Sequence, residues 1–162
     1  MFGYSASKTM QVAQRLYQGV KIKGKGSIGL ITYMRTDSLF LANKAIGQIR
    51  DYIKKDIGEK YLNSTERVYK NKSKNAQEAH EAIRPTHFEF SPAKIKDELS
   101  SEEYKIYSLI WDRAIATQMH VMEVRKVDVK LKDTNGNMWG TKAQEVIFDG
   151  FGKVLTYVKK NE

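Results

Sequence analysis

The sequence contains no cysteine and only two prolines among its 162 residues. Without thiols there is no disulfide framework, no thiolate nucleophile and no cysteine-based zinc site. The three histidines, His80, His87 and His120, lie too far apart in sequence to form a local metal motif. No apolar run approaches the roughly 18 residues needed to cross a membrane. The opening residues Met1-Phe2-Gly3-Tyr4-Ser5 lack the basic start and apolar stretch of a secretory leader. Internal repeats and low-complexity tracts are also missing. These absences suit a cytosolic protein.

What is present is a hydrophobic fraction of 41%, enough for a packed core and too much for a disordered chain. The length fits one domain, or one domain and part of a second. Twenty-eight Lys and Arg face 19 Asp and Glu, a formal charge of +9. Residues 121–162 hold 8 basic and 6 acidic residues, leaving 20 and 13 for residues 1–120. An excess of this kind suits an acidic partner such as nucleic acid, and it also serves solubility.

Apolar spacing predicts a mainly α fold with a small β part. A helix is expected over 7–20 on the stripe Met10, Ala13, Tyr17 and Val20, with Ser5 and Ser7 as candidate caps. Residues 19–29 read as a basic glycine-rich loop, followed by a short extended stretch over 30–35. A second helix is expected from Asp37 or Ser38 to just before Gly58, on Leu39, Ala42, Ile46, Ile49 and Ile53. Residues 63–75 read as a polar loop. Residues 76–84 read as two helical turns stopped by Pro85, and 86–99 as irregular. A third helix over 101–120 opens on the capping box Ser100-x-x-Glu103, with a core stripe of Tyr104, Tyr107, Trp111, Ala114 and Ile115. Alternation over 121–131 predicts a half-buried strand, Asn135-Gly136 a hairpin turn, and 138–148 and 152–158 two further strands. Three strands without a helix to cover them make a poor unit. Residues 121–162 are therefore expected to be part of an antiparallel sheet completed elsewhere, and the chain a fragment.

Two segments can carry chemistry. In the extended stretch Gly29-Leu-Ile-Thr-Tyr-Met-Arg-Thr-Asp-Ser38, Tyr33 and Arg35 share a face. A guanidinium favours the phenolate and can grip a phosphate beside it, so the pair fits covalent attack on a phosphodiester. A half-buried strand tyrosine followed by a surface arginine has the same pattern. In Gln77-Glu-Ala-His-Glu-Ala-Ile-Arg-Pro85, a helix would present Gln77, His80, Glu81 and Arg84 on one arc. That arc can hold a phosphate, or be a solvated face whose His and Glu satisfy each other. The basic runs at Lys21, Lys23 and Lys25 and at Lys70, Lys72 and Lys74 can follow a nucleic-acid backbone, or be solvated loops. Most of the nine tyrosines, including Tyr17, are expected in the core.

Together these segments resemble type IA DNA topoisomerases. The stretch 29–38 is similar to that family's active-site tyrosine motif, and 77–85 to its second signature. The helix Ser5-x-Ser-Lys-Thr-Met-x-x-Ala-Gln-x-Leu-Tyr17 and the segment Phe148-Asp-Gly-Phe-x-Lys-Val154 match flanking regions of the family. Methionine between Tyr33 and Arg35 is similar to the bacterial topoisomerase I branch, where the topoisomerase III branch usually has proline.

The resemblance implies that Tyr33 attacks a single-stranded DNA phosphodiester and becomes joined to the 5′ phosphate. Arg35 would position the scissile phosphate, and His80 and Arg84 would support the site and the DNA backbone. It implies a helix-turn-helix-like tyrosine domain over 1–120 and part of the arch over 121–162. It also implies Mg2+ bound by an acidic N-terminal domain outside this chain, in which no Asp-x-Asp occurs. The parent would be a monomeric, cytoplasmic, nucleoid-associated, ATP-independent enzyme that relaxes negative supercoils, and this fragment would be inactive alone. Leu39-Phe40-Leu41 depart from the polar residues usual after the motif. The charge and helices alone would also fit a non-catalytic, winged-helix-like DNA-binding module or a basic RNA-binding protein.

Overall fold

The computed structural model describes residues 2–69 and 80–155. Within them lie three α-helices and two separate two-stranded antiparallel sheets, a mixed α/β assembly. Helix α1 (Ala6–Gln18) begins where Ser5 Oγ accepts the Lys8 N–H, and it ends at Gly19, whose φ of +131° suits glycine. Its buried residues are Val12, Ala13 and Leu16. The inward stripe is thus rotated from the expected one, and Met10 and Tyr17 stand exposed at its edge. Periodicity gives the existence of a stripe, but two neighbouring stripes on α1 are both apolar enough to qualify.

The glycine-rich stretch is not a loop. Strands β1 (Val20–Ile22) and β2 (Gly26–Ile28) form a hairpin, and the Lys23 N–H donates to Glu98 at 2.7 Å. Helix α2 (Asn43–Tyr52) starts later than Asp37 or Ser38. Thr36 and Ser38 instead spend their hydroxyls on the N–H groups two residues on, which holds 36–40 in local turns and out of a helix. Leu39 accordingly leaves the core stripe and is half exposed. The helix passes into a π-helical turn, Ile53–Ile57, and stops at Gly58 as expected. Helix α3 (Ser101–Ala116) opens on the expected capping box, with both of its reciprocal hydrogen bonds formed.

One core joins these pieces. Leu16, Leu30, Ile49, Ile53, Tyr107 and Ile115 are fully enclosed in it. Gln118 is buried among them, yet both ends of its amide are satisfied by the Arg67 backbone at 3.1 and 2.9 Å. Leu30 and Ile31 belong to the same core. The segment expected to carry chemistry is therefore rooted at its start.

Strands β3 (Glu123–Lys132) and β4 (Met138–Phe148) pair along their length around the Asn135-Gly136 turn. The ribbon is exposed on both faces within the described residues, where one buried face was expected. The start of the expected third strand is a 3-10 turn, Gly150–Lys153. Gly150 there has φ +45° and lies so close to the Val121 carbonyl that a side chain would clash. Residues 156–158 of that strand, the Lys70–Lys74 run and residues 76–79 of the expected helix lie outside the described residues.

Candidate active site

The tyrosine segment is clamped from two sides. The Leu30 N–H donates to the Leu16 carbonyl at the end of α1, at 2.8 Å. On the other side it runs against 82–86. Ile31 and Pro85 form an antiparallel bridge, the Thr32 N–H donates to the Arg84 carbonyl at 2.9 Å, and the Thr86 N–H donates to the Leu30 carbonyl at 3.1 Å. Two threonine hydroxyls lock the crossing. Thr32 donates to the Ala82 carbonyl at 2.8 Å and accepts the Arg84 N–H at 3.0 Å, while Thr86 donates to the Gly29 carbonyl at 2.6 Å.

This pairing explains why residues 80–84 are not helical. The Ala82 carbonyl and both backbone groups of Arg84 are bonded to Thr32, the Ala82 N–H donates to the Phe40 carbonyl, and the residue before Pro85 is biased away from helical dihedrals. Gln77 lies outside the described residues, so the expected arc is described only for His80, Glu81 and Arg84.

Tyr33 leaves the crossing toward solvent and is 36% exposed. Its ring lies edge-on to Tyr17 of α1, with centroids 5.4 Å apart, and tilted over His80 at 5.5 Å. Met34 turns into the core. Arg35 is exposed again, over a shallow depression lined by Ser7, Met10, Gln11, Gln14 and Arg15 of α1. Tyr33 and Arg35 thus flank a buried anchor and both reach solvent. The backbone bends at Thr32, Met34 and Arg35, so the stretch is less regular than the expected strand.

Arg84 is used differently. Its side chain is only 14% exposed, pairs with Glu81 at 2.5 Å and donates to the Pro85 carbonyl at 2.9 Å. Its Nε is buried with no partner among the described residues. The guanidinium therefore braces the crossing from within. The other Glu81 oxygen accepts the Ala42 N–H at 2.8 Å, at the start of α2, where Ala42 has no side chain able to cap.

Four residues of the site are not singled out by spacing: Tyr17, Thr32, Glu81 as a helix cap, and Thr86. A threonine immediately before Tyr33 and another immediately after Pro85 are the available signal. Among the described residues, no group of three or more His, Asp or Glu side chains is placed to hold a metal ion. No helix among them is long and apolar enough to cross a membrane.

A family model described as DNA topoisomerase matches residues 1–162. The chain belongs to the DNA topoisomerase family. It is 52% identical over 153 residues to DNA topoisomerase 1 of Rickettsia bellii, covering 94% of this chain and 19% of that protein. It is 43% identical over 160 residues to DNA topoisomerase 1 of Xylella fastidiosa, covering 99% of this chain and 20% of that protein. The solved structure of full-length topoisomerase I from Thermotoga maritima superposes with a TM-score of 0.80 at 37% identity, over 95% of this chain and 24% of that one. The chain thus spans about a fifth of the length of the curated relatives it matches.

Proposed function

We propose that this DNA topoisomerase chain is the tyrosine-bearing part of a type IA enzyme that cuts and rejoins one DNA strand through Tyr33. The supporting observation is the crossing itself. The two signature stretches, about fifty residues apart in sequence, hydrogen-bond to each other and leave the Tyr33 ring exposed beside His80.

In the proposed step, Tyr33 Oη bonds to the phosphorus of a single-stranded DNA phosphodiester. The bond from phosphorus to the 3′ oxygen breaks, and the phenolic proton ends on the released 3′ hydroxyl. One phosphodiester replaces another, so the link conserves the energy needed for religation and no ATP is required. The reverse step restores the DNA after strand passage, and stored negative supercoiling drives the net relaxation.

Arg35 holds the scissile phosphate and stabilises charge that builds on its oxygens. His80 supports the Tyr33 ring and the adjoining backbone phosphate. Arg84 is a positioning residue, acting through Glu81 and the Pro85 carbonyl. Residues 1–120 form the helix-turn-helix-like tyrosine domain and 121–162 part of the arch. The described residues do not fit a Mg2+ site, and the proposed step does not run through one. The ion would be held by another part of a monomeric parent acting on DNA in the cytoplasm, and this chain alone would be inactive.

The test uses the full-length protein and a single-stranded oligonucleotide labelled at its 3′ end. After denaturation, the label should migrate with the protein, and Tyr33→Phe should abolish this. An adduct that persists in Tyr33→Phe overturns the assignment of the nucleophile. Reversible binding with no adduct, and preference for duplex, would identify a winged-helix-like binding module instead.

A further inference from the structure

The register of the β3–β4 ribbon sorts its side chains sharply. Residues directly opposite in an antiparallel pair project on one face, and alternate residues project on opposite faces. Val127 stands opposite Ala143, Val129 opposite Thr141 and Leu131 opposite Trp139, so these six share a face. The one charged pair on that face, Arg125 with Glu145, is a salt bridge at 3.2 Å. On the other face Val124 is opposite Val146, Lys126 opposite Gln144, Asp128 opposite Lys142, Lys130 opposite Gly140 and Lys132 opposite Met138. That face carries four lysines against a single aspartate, all exposed.

An antiparallel sheet with one apolar and one polar face packs the first and leaves the second to solvent. Both faces of this ribbon are exposed among the described residues, and the lysine face is the one that carries an excess of charge. A merely soluble face mixes charges of both signs in comparable number, and this one has four lysines to one aspartate, Asp128, which stands opposite Lys142. Along β3, Lys130 and Lys132 are about 7 Å apart by strand rise, and Lys126 stands about 13 Å before Lys130. The result is a row of cations on a face without arginine forks or aromatic side chains, which suits backbone phosphates and not bases.

We propose that Lys126, Lys130, Lys132 and Lys142 form a nucleic-acid backbone contact separate from the Tyr33 surface. The inference rests on the reading of DNA as the substrate. Its contribution is electrostatic and independent of sequence.

The test measures reversible binding of a fluorescein-labelled single-stranded oligonucleotide to the full-length protein by anisotropy, over a range of salt concentrations. The quadruple Lys→Gln variant should bind about tenfold or more weakly at low salt. Its slope of log affinity against log salt should be shallower by about 0.7 for each phosphate that the lysines no longer neutralise. The quadruple Lys→Arg variant should retain both affinity and slope. An unchanged slope in the glutamine variant overturns the proposal, as does an equal loss in the arginine variant. The slope is read without any covalent step, so it stands or falls separately from the Tyr33 adduct.

Discussion

Glu81 and Arg84 form an ion pair at 2.5 Å just beneath the tyrosine segment, with both side chains mostly enclosed. The same carboxylate takes the Ala42 N–H and so starts α2. One side chain therefore ties the second signature stretch, the helix that follows the tyrosine and the brace under the crossing. Removing its charge tests the pair apart from the cap, because glutamine can still accept from Ala42.

Glu81→Gln should cost about 1–2 kcal/mol, the usual loss when a charged hydrogen bond is weakened. Glu81→Ala should cost more, about 3 kcal/mol, because it also strands a mostly buried guanidinium and an uncapped helix end. Urea unfolding of the two variants measures both numbers. Equal costs would mean that the ion pair, and not the cap, carries the effect.

Gly29 offers a second mechanical test. A Cβ built there would lie 2.6 Å from the Tyr17 backbone carbonyl oxygen, and backbone cannot swing aside as a side-chain tip can. Gly29→Ala should therefore cost about 1–3 kcal/mol as an overpacking change. It should also lower adduct yield, because it pushes the end of α1 and its Tyr17 away from Tyr33. Gly47→Ala is the control. It sits inside α2 with nothing within 4 Å of the added methyl, and it should stabilise by up to about 1 kcal/mol through helix propensity. Thermal unfolding of both variants reads the contrast.

Local signals are legible in the sequence and long-range ones are not. The Ser5 cap and the Ser100–Glu103 box act within one helical turn, and both helices begin where those residues say. The start of α2 escapes a local reading because its cap, Glu81, is 39 residues away in sequence, while Asp37 and Ser38 imitate one. The β1–β2 hairpin has strands of three residues, too short for a visible alternation. Over 80–84 the expected helix loses to hydrogen bonds with Thr32 that no local pattern announces. At the site, Tyr33, Arg35 and the His80–Arg84 stretch stand out as residue types. Their arrangement does not, because it depends on Thr32 and Thr86 closing a crossing between distant segments.

Asp112 supplies a test of pH dependence away from the site. Burial on α3 pushes its carboxyl up from 3.8 to about 6. Between those values the folded chain keeps a proton that the unfolded chain has released, so stability must fall as pH rises through the window. The penalty is complete above about pH 6 and vanishes below about pH 4. A shift of this size on a fully buried group would correspond to nearly 3 kcal/mol. Asp112 is partly exposed, and solvent screening reduces the expected effect to about 1 kcal/mol. Glu103 is shifted the opposite way, lowered by its hydrogen bonds to Ser100 and its pairing with Arg15 in spite of burial. Its contribution runs against that of Asp112, so the total pH profile cannot isolate either. The difference between the wild-type chain and Asp112→Asn does isolate it, since asparagine stays neutral throughout. The two proteins should unfold at the same urea concentration near pH 4 and diverge toward pH 7, with the asparagine variant the more stable. Parallel curves across that range would show that Asp112 is solvated well enough to ionise freely in the folded chain.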